Sequence, residues 1–209
     1  NIVPFSDEIN TEKHESSATF NKEGTLMYFS RTSDKRVLVG EELVATVQLY
    51  QAEYKDSIWT NILPLPFSSD QFSTMHPALS NDEKRLYFSS DMPGTLGSFD
   101  LFYVDIAEDG TYGAPVNLGS TVNTPQREQF PFIDVEGTLF FASDGHQGNG
   151  NLDVFMSYKL NEAEFDKPLN LGSTINSEMD DFNFILDEVN DKGYFASNRT
   201  GDDNLYTFV

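Results

Sequence analysis

The side chains best placed to do chemistry are a few carboxylates and one histidine at corresponding positions of a repeated sequence pattern. They are Glu15, His76, Glu128, Asp180 and Asp181. Converging carboxylates can hold a hard cation such as Ca²⁺, receive a lysine or arginine of a partner, or act as the acid and base of a glycoside hydrolase. In a chain this acidic, solvated strand ends without a chemical role are the interpretation that the composition favours.

No recognised catalytic or metal-binding motif accompanies these residues. The chain has no cysteine, and its three histidines, His14, His76 and His146, have no spacing that suggests a zinc site. It has neither the Gly-X-Ser-X-Gly elbow of serine hydrolases nor a phosphate-binding Gly-X-X-X-X-Gly-Lys loop. We therefore expect no enzyme activity, no metal site and no cofactor.

The charge balance narrows the choice of partners. The 209 residues include 13 Lys and Arg against 34 Asp and Glu, a formal net charge of -21. Binding to nucleic acid or to an anionic membrane surface needs a positive face, so neither is expected. No apolar run approaches the roughly 18 residues needed to span a bilayer, and no leader segment is recognisable at the first residues.

An internal repeat in the sequence indicates which secondary-structure elements position these residues. The pattern Leu-Tyr-Phe-Ser-Ser-Asp at residues 86–91 recurs at 139–144, 193–198 and 26–31, and its final Phe steps by 59, 53 and 54 residues. A second pattern, Asn-Leu-Gly-Ser-Thr-Val-Asn-Thr at residues 117–124, recurs at 170–177 after 53 residues. Two independent patterns with one spacing indicate a true repeat.

Each repeat is predicted to form four antiparallel strands, because Thr, Val, Phe and Tyr dominate short runs that are separated by Gly, Asn and Asp turns. Four strands in about 50 residues are typical of a β-propeller blade. We predict an all-β, single-domain, four-bladed propeller over residues 1–209, with blades at residues 15–73, 74–126, 127–179, and 180–209 plus 1–11.

The last blade is predicted to be completed by the beginning of the chain. The repeat at residues 180–209 breaks off after its third strand, and residues 4–11 have the phase of residues 117–124. Ile9 then corresponds to Val122, and Asn10 corresponds to Asn123. We expect residues 2–10 to pair with residues 204–208 and so to close the ring. A fragment of a larger ring is the alternative.

The repeat resembles the TolB-type, WD40-like propeller repeat. The resemblance rests on Phe-Pro-Phe at residues 130–132, Phe-Ala-Ser-Asp at 141–144, Asp-Val-Phe at 153–155 and the Asn-Leu-Gly pattern at 170–176. Together with residues 180–187 and 193–199, it resembles more narrowly the propeller of Bacteroidetes OmpA-family outer-membrane proteins, some of which work in type IX secretion. Blade one departs from the pattern at Arg31, Thr32 and Gln48.

The resemblance implies a periplasmic, outer-membrane-associated module that binds protein partners of the cell envelope, with peptide or glycan as further ligands. Glu15, His76, Glu128, Asp180 and Asp181 would then form a binding surface at the channel mouth. A glycan-binding or glycoside hydrolase propeller is the alternative.

Three further groups of residues are predicted to be structural. The Asp and Asn residues of the loops at 91–100, 144–153 and 198–204 should cap turns. One arginine in each blade should form an ion pair; these are Arg31, Arg85, Arg127 and Arg199. Tyr50, Tyr54 and Trp59 should pack between blades, with an exposed aromatic patch as the alternative.

Overall fold

The computed structural model describes residues 3–39, 42–187 and 189–209, and every regular element in these ranges is a β-strand. Four antiparallel sheets are arranged as a four-blade β-propeller, which confirms the predicted fold class. Within the described ranges there is no helix that could cross a membrane.

The sheets follow one another along the chain, and in each of them the strands are neighbours in sequence order. The first two sheets comprise β1 (Glu15–Phe20), β2 (Leu26–Val39), β3 (Glu42–Lys55), β4 (Ile58–Pro64), and β5 (Thr74–Leu79), β6 (Arg85–Ser90), β7 (Asp100–Asp105), β8 (Val116–Asn117). The last two comprise β9 (Glu128–Ile133), β10 (Leu139–Ser143), β11 (Asp153–Ser157), β12 (Leu169–Asn170), and β13 (Asp181–Asp187), β14 (Lys192–Ser197), β15 (Asn204–Phe208).

The core lies between the blades, because both faces of each second strand are apolar. In β6, Phe88 packs towards blade one beside Tyr28, and Tyr87 packs towards blade three beside Phe141. Between blades three and four, Phe140 packs with Phe195. Burying one such side chain contributes about 1.5–3 kcal/mol, so the stacked faces hold neighbouring blades together.

The N-terminal segment does not complete the last blade, so that prediction is wrong for the described residues. Residues 3–14 form no strand, and the fourth sheet consists of β13, β14 and β15; Ile2 lies outside the described residues. The segment instead forms a turn, in which the N–H groups of Ile9 and Asn10 donate to the Ser6 carbonyl at 3.2 and 2.8 Å. Ile9 is buried against Phe29 of blade one. Apolar burial on that blade therefore holds the segment.

The first and last blades are also separated at the centre. Successive innermost strands lie side by side from β1 to β5, β9 and β13, whereas no Cα atom of β1 lies within 8 Å of a Cα atom of β13. The face of blade one that points away from blade two is covered by the N-terminal segment, and among the described strands none of blade four has a Cα atom within 8 Å of those of blade one. Trp59 is buried there in contact with Phe5, Phe20 and Tyr54. These aromatic residues thus pack on their own blade and the N-terminal segment, and not between two blades as expected.

Candidate functional site

The innermost strands border a central cavity of about 430 Å³. All the residues around it are uncharged or, in one case, histidine: Ser17, Ala18, Thr19, Phe20, His76, Pro77, Ala78, Leu79, Phe130, Pro131, Phe132, Asn183, Ile185 and Leu186. Each of the four blades contributes to this lining. The cavity is therefore a shared, largely apolar channel in a protein whose net charge is -21.

One residue of each innermost strand has a left-handed backbone conformation. Ser17, His76, Phe130 and Asn183 have φ values of 33, 55, 52 and 52°. Each lies at a bulge, where the pairing of the first and second strands of its blade shifts register. A bulge re-aims a side chain, and all four residues line the channel. Asn183 and His76 are of types that adopt this conformation more often than other non-glycine residues, whereas Ser17 and Phe130 carry no such signal.

His76 is the only titratable residue in the lining. Its ring stacks on Phe130 with centroids 3.7 Å apart, and Phe130 in turn contacts Phe182 at 4.9 Å. The backbone N–H of His76 donates to the Ser30 hydroxyl at 2.9 Å, while the side-chain Nδ1 is buried without a hydrogen-bond partner in the described structure. Burial lowers the pKa of His76 to about 3. The imidazole is therefore neutral at pH 7, and no lining residue of this cavity is charged. The adjoining cavity, which shares Phe20, Leu79, Phe132 and Leu186 with it, is also lined by charged residues, namely Lys22, Glu83, Asp134 and Asp187.

Glu128 lies at the start of β9, as predicted, but it is fully buried instead of facing the channel. Its carboxylate accepts hydrogen bonds from the Thr124 N–H at 2.8 Å, the Thr124 hydroxyl at 2.7 Å and the Ser143 hydroxyl at 2.7 Å. Burial raises the pKa of Glu128, and these hydrogen bonds oppose the rise. The side chain anchors the preceding turn to β9 and β10.

Glu15 repeats this arrangement in blade one. Its carboxylate accepts hydrogen bonds from the N–H and hydroxyl of Thr11, four residues earlier, at 3.3 and 2.6 Å. It also forms an ion pair with Arg31 at 3.0 Å. Arg31 stands where Ser143 stands in blade three, since the strand register pairs Glu15 with Arg31 and Glu128 with Ser143. Arg31, which replaces the serine found in blade three, thus provides an ion-pair partner for Glu15, the carboxylate equivalent to Glu128.

In blade four, the carboxylate equivalent to Glu128 is Asp181, since Asp181 pairs with Ser197 as Glu128 pairs with Ser143. Asp180, the other predicted site residue of this blade, lies one residue earlier. Asp181 is buried, accepts hydrogen bonds from the N–H and hydroxyl of Ser177, and contacts Arg199. Asp180 instead accepts from the Leu152 N–H at 3.1 Å and so connects the loop before β11 of blade three to blade four.

None of these carboxylates borders the channel cavity. Of the five predicted site residues, the structure places only His76 in its lining, and it adds Ser17, Phe130 and Asn183. Among the described residues, no group of three or more His, Asp or Glu side chains is arranged to hold a metal ion.

The predicted ion pairs of the four arginines are confirmed, and turn capping is confirmed for one carboxylate in each of the loops at 91–100 and 144–153. Each arginine forms an ion pair: Arg31 with Glu15, Arg85 with Asp105, Arg127 with Asp144 and Arg199 with Asp181. The loop residue Asp100 accepts from the Leu96 N–H at 2.7 Å and the Gly97 N–H at 3.2 Å. Asp153 accepts from Asn149 and Gly150 in the same way.

No protein-family model matches this sequence, and no curated protein matches it. Solved structures do share its fold. TolB from Acinetobacter baumannii has a TM-score of 0.56 and 12% identity, covering 93% of this chain and 40% of TolB. An α-L-arabinofuranosidase from Lactobacillus brevis has a TM-score of 0.55 and 13% identity, covering 86% of this chain and 63% of the enzyme.

A puromycin-hydrolysing peptidase from Mycobacterium tuberculosis also matches, with a TM-score of 0.53 and 15% identity over 99% of this chain and 31% of the peptidase. The chain therefore spans less than two thirds of each of these proteins. At such low identities the similarity shows the fold alone. The fold of this chain and of these structures is a β-propeller.

Proposed function

We propose that this propeller is a non-catalytic scaffold that binds another protein through its central channel. One observation carries the proposal: the carboxylates at the strand starts are engaged inside the chain, while the channel between them is lined by uncharged side chains. A glycoside hydrolase needs an acid and a base beside its substrate. A largely apolar, uncharged cavity with a few hydrogen-bonding groups instead suits binding.

The size and chemistry of the channel favour a partner that inserts an apolar side chain or a short loop. Phe20, Phe132 and Ile185 offer apolar contacts, and Ser17 and Asn183 offer hydrogen bonds that orient a ligand. A volume of about 430 Å³ accommodates a few side chains. The acidic remainder of the surface favours a partner with a basic rim around the inserted group, because opposite charges speed association and select partners.

We further propose that the module works in the periplasm, associated with the outer membrane, as part of a cell-envelope or type IX secretion assembly. This part rests on the resemblance of residues 130–132, 141–144, 153–155, 170–176, 180–187 and 193–199 to the propellers of Bacteroidetes OmpA-family proteins. Fractionation of cells that produce the tagged full gene product tests the compartment. Recovery in the cytosol would contradict it.

A glycan-binding or glycosidase function is the alternative, and it is favoured by the aromatic cavity on blade one. That cavity, of about 470 Å³, is lined by Phe5, Tyr54, Trp59 and Glu8, among others. Trp59 is the only tryptophan of the chain, so its fluorescence reports glycan binding directly. A saturable fluorescence change with envelope glycans, or release of 4-nitrophenol from aryl arabinofuranosides, would favour this alternative.

The scaffold proposal is tested by capturing envelope proteins on the immobilised domain and comparing two variants. Ile185 lines the channel and is 43% exposed, so Ile185→Glu places a charge in the channel without opening the core. Leu160→Glu is the matched control, because Leu160 is 61% exposed and lies away from the channel.

We expect a protein that binds the wild type and Leu160→Glu equally and binds Ile185→Glu at least tenfold more weakly. The captured protein is then purified and its affinity is measured directly with the three forms. Equal binding to all three would contradict a channel site, and turnover of any substrate by wild-type protein that is lost in Glu128→Gln would contradict a non-catalytic scaffold.

A further inference from the structure

In the third strand of each blade, the backbone N–H and carbonyl of one residue need hydrogen-bond partners from outside the pair formed by the second and third strands. In blade two this residue is Leu101: its N–H donates to the Asn123 side-chain oxygen at 2.8 Å, and its carbonyl accepts from the Asn123 amide at 3.0 Å. The Leu118 N–H adds a second bond to that carbonyl at 3.0 Å. One asparagine thus satisfies both backbone groups of the leucine.

Blade three repeats the arrangement with the same residue types. The Val154 N–H donates to the Asn176 side-chain oxygen at 2.8 Å, and the Val154 carbonyl accepts from the Asn176 amide at 2.9 Å and from the Leu171 N–H at 3.1 Å. This explains the long conserved spacing of the Asn-Leu-Gly-Ser-Thr-(Val/Ile)-Asn pattern within the chain. Its leucine and its second asparagine both bind the third strand.

In blade one, other residues provide the hydrogen bonds at the equivalent position, which is Leu49. The Leu49 N–H donates to the Ser68 hydroxyl at 3.2 Å, and the Leu49 carbonyl accepts from the Leu65 N–H at 2.8 Å. Leu49, Leu101 and Val154 each have 0% exposure. Three blades therefore satisfy this backbone position, with different side chains but with the same result.

Blade four leaves the position open. Leu205 corresponds to Leu101 and Val154, since it pairs with Ala196 as they pair with Ser89 and Ala142. It is 69% exposed, β15 is the edge of its sheet, and no described residue outside that sheet hydrogen-bonds to it. Free edge strands pair readily with added strands.

We propose that the outer edge of β15 binds a strand from another polypeptide that carries the sequence Asn-Leu-Gly-x-x-(Val/Ile)-Asn. Its leucine N–H and its second asparagine would bind the backbone of Leu205 as Leu118 and Asn123 bind Leu101. Its first asparagine would donate to Asn204, as Asn117 donates to Asp100 at 2.7 Å. This is strand addition to a sheet edge, at a surface distinct from the channel of the proposed function.

The sequence proposed for the added strand is that of the segments that already bind the third strands of blades two and three in this chain. Segments of this type occupy the equivalent edges of blades two and three, with the contacts described above. The N-terminal segment of the same molecule is committed elsewhere, because Ile9 is buried on blade one. The side-chain oxygen of Asn10 accepts from Phe5 and Ser6 and not from β15.

The test uses a labelled peptide of residues 168–177 and the full chain. We expect saturable binding of one peptide per protein and slower hydrogen exchange at the Leu205 and Thr207 amides. An Asn176→Ala peptide should bind at least tenfold more weakly, since it loses two hydrogen bonds to one backbone position. Leu205→Lys should weaken binding, whereas Leu160→Lys and the channel variant Ile185→Glu should leave it unchanged.

If the free peptide binds too weakly to be measured, residues 168–177 are fused to Val209 through a flexible Gly-Ser linker. The fusion raises the effective concentration of the peptide at β15 to about millimolar. If this fusion leaves the Leu205 and Thr207 amides unprotected, or protects them equally with Asn176→Ala, the proposal is wrong. Self-association of the unmodified chain through pairing of β15 with β15 of a second copy, which blocks the peptide, would also overturn it, because the edge would then not bind a strand of this sequence.

Discussion

At the scale of single residues, the buried carboxylates act as anchors of turns and not as catalytic groups. Glu128 holds Thr124 through both its N–H and its hydroxyl, and Glu15 and Asp181 hold Thr11 and Ser177 in the same way. The acidic residue and the hydroxyl residue four positions before it therefore form one structural unit in three blades. Blade two has Thr74 at this position.

Glu128→Ala should destabilise the fold by roughly 2–4 kcal/mol, because it leaves Thr124 and Ser143 without their buried acceptor and opens a cavity. The free energy of unfolding in urea, measured by circular dichroism, checks this. Glu136→Ala is the control, since Glu136 is exposed and should change stability by less than about 0.5 kcal/mol. Equal effects of the two substitutions would mean that Glu128 is not an anchor.

His76 should make the fold sensitive to acid. Its pKa falls from 6.5 to about 3 on burial, so between these values the unfolded chain binds a proton that the folded chain does not, and stability is lost as the pH falls. The loss is on the order of 4 kcal/mol by pH 3. We expect His76→Phe, which keeps the stacking on Phe130, to lose less stability than the wild type between pH 7 and pH 4. Parallel pH profiles of the two proteins would contradict this origin.

At the scale of elements, the repeated asparagine connects the segment after the outer strand to the third strand in blades two and three. Asn123 and Asn176 are buried and bind both backbone groups of one residue, while Asn10 is exposed and binds only its own turn. The asparagine of the repeated pattern therefore binds the third strand in blades two and three but only its own turn in the N-terminal segment.

Asn123→Ala and Asn176→Ala should each cost about 2–3 kcal/mol of stability, because a buried N–H and a buried carbonyl lose their partners. Asn10→Ala should cost less than about 1 kcal/mol. Thermal unfolding of the three variants measures the difference. A large effect of Asn10→Ala would indicate that residues 4–11 serve as an outer strand after all.

The repeat predicted the four sheets because its strands recur at one spacing and their apolar faces leave few arrangements. It could not predict the place of the N-terminal segment, because burying Ile9 on blade one needs no pairing with β15. The ring of left-handed residues was equally invisible: Ser17, His76, Phe130 and Asn183 share no residue type. The sequence predicted His76 as a site residue, but only the structure shows the channel that His76 lines and the other residues that line it.

At the scale of the whole molecule, the net charge of -21 opposes compaction. Added monovalent salt screens this repulsion over about 10 Å at 0.1 M. We expect the melting temperature to rise by a few degrees between 20 and 300 mM NaCl. A constant or falling melting temperature would show that the ion pairs of the four arginines outweigh the repulsion.

The most direct test of a channel-binding scaffold is hydrogen exchange across the whole domain with and without its purified envelope partner. Slower exchange should be concentrated in residues 17–20, 76–79, 130–132 and 183–186, which come from four different blades and border the channel. Protection confined to the outer strands, or no protection at saturating partner, would contradict binding at the channel.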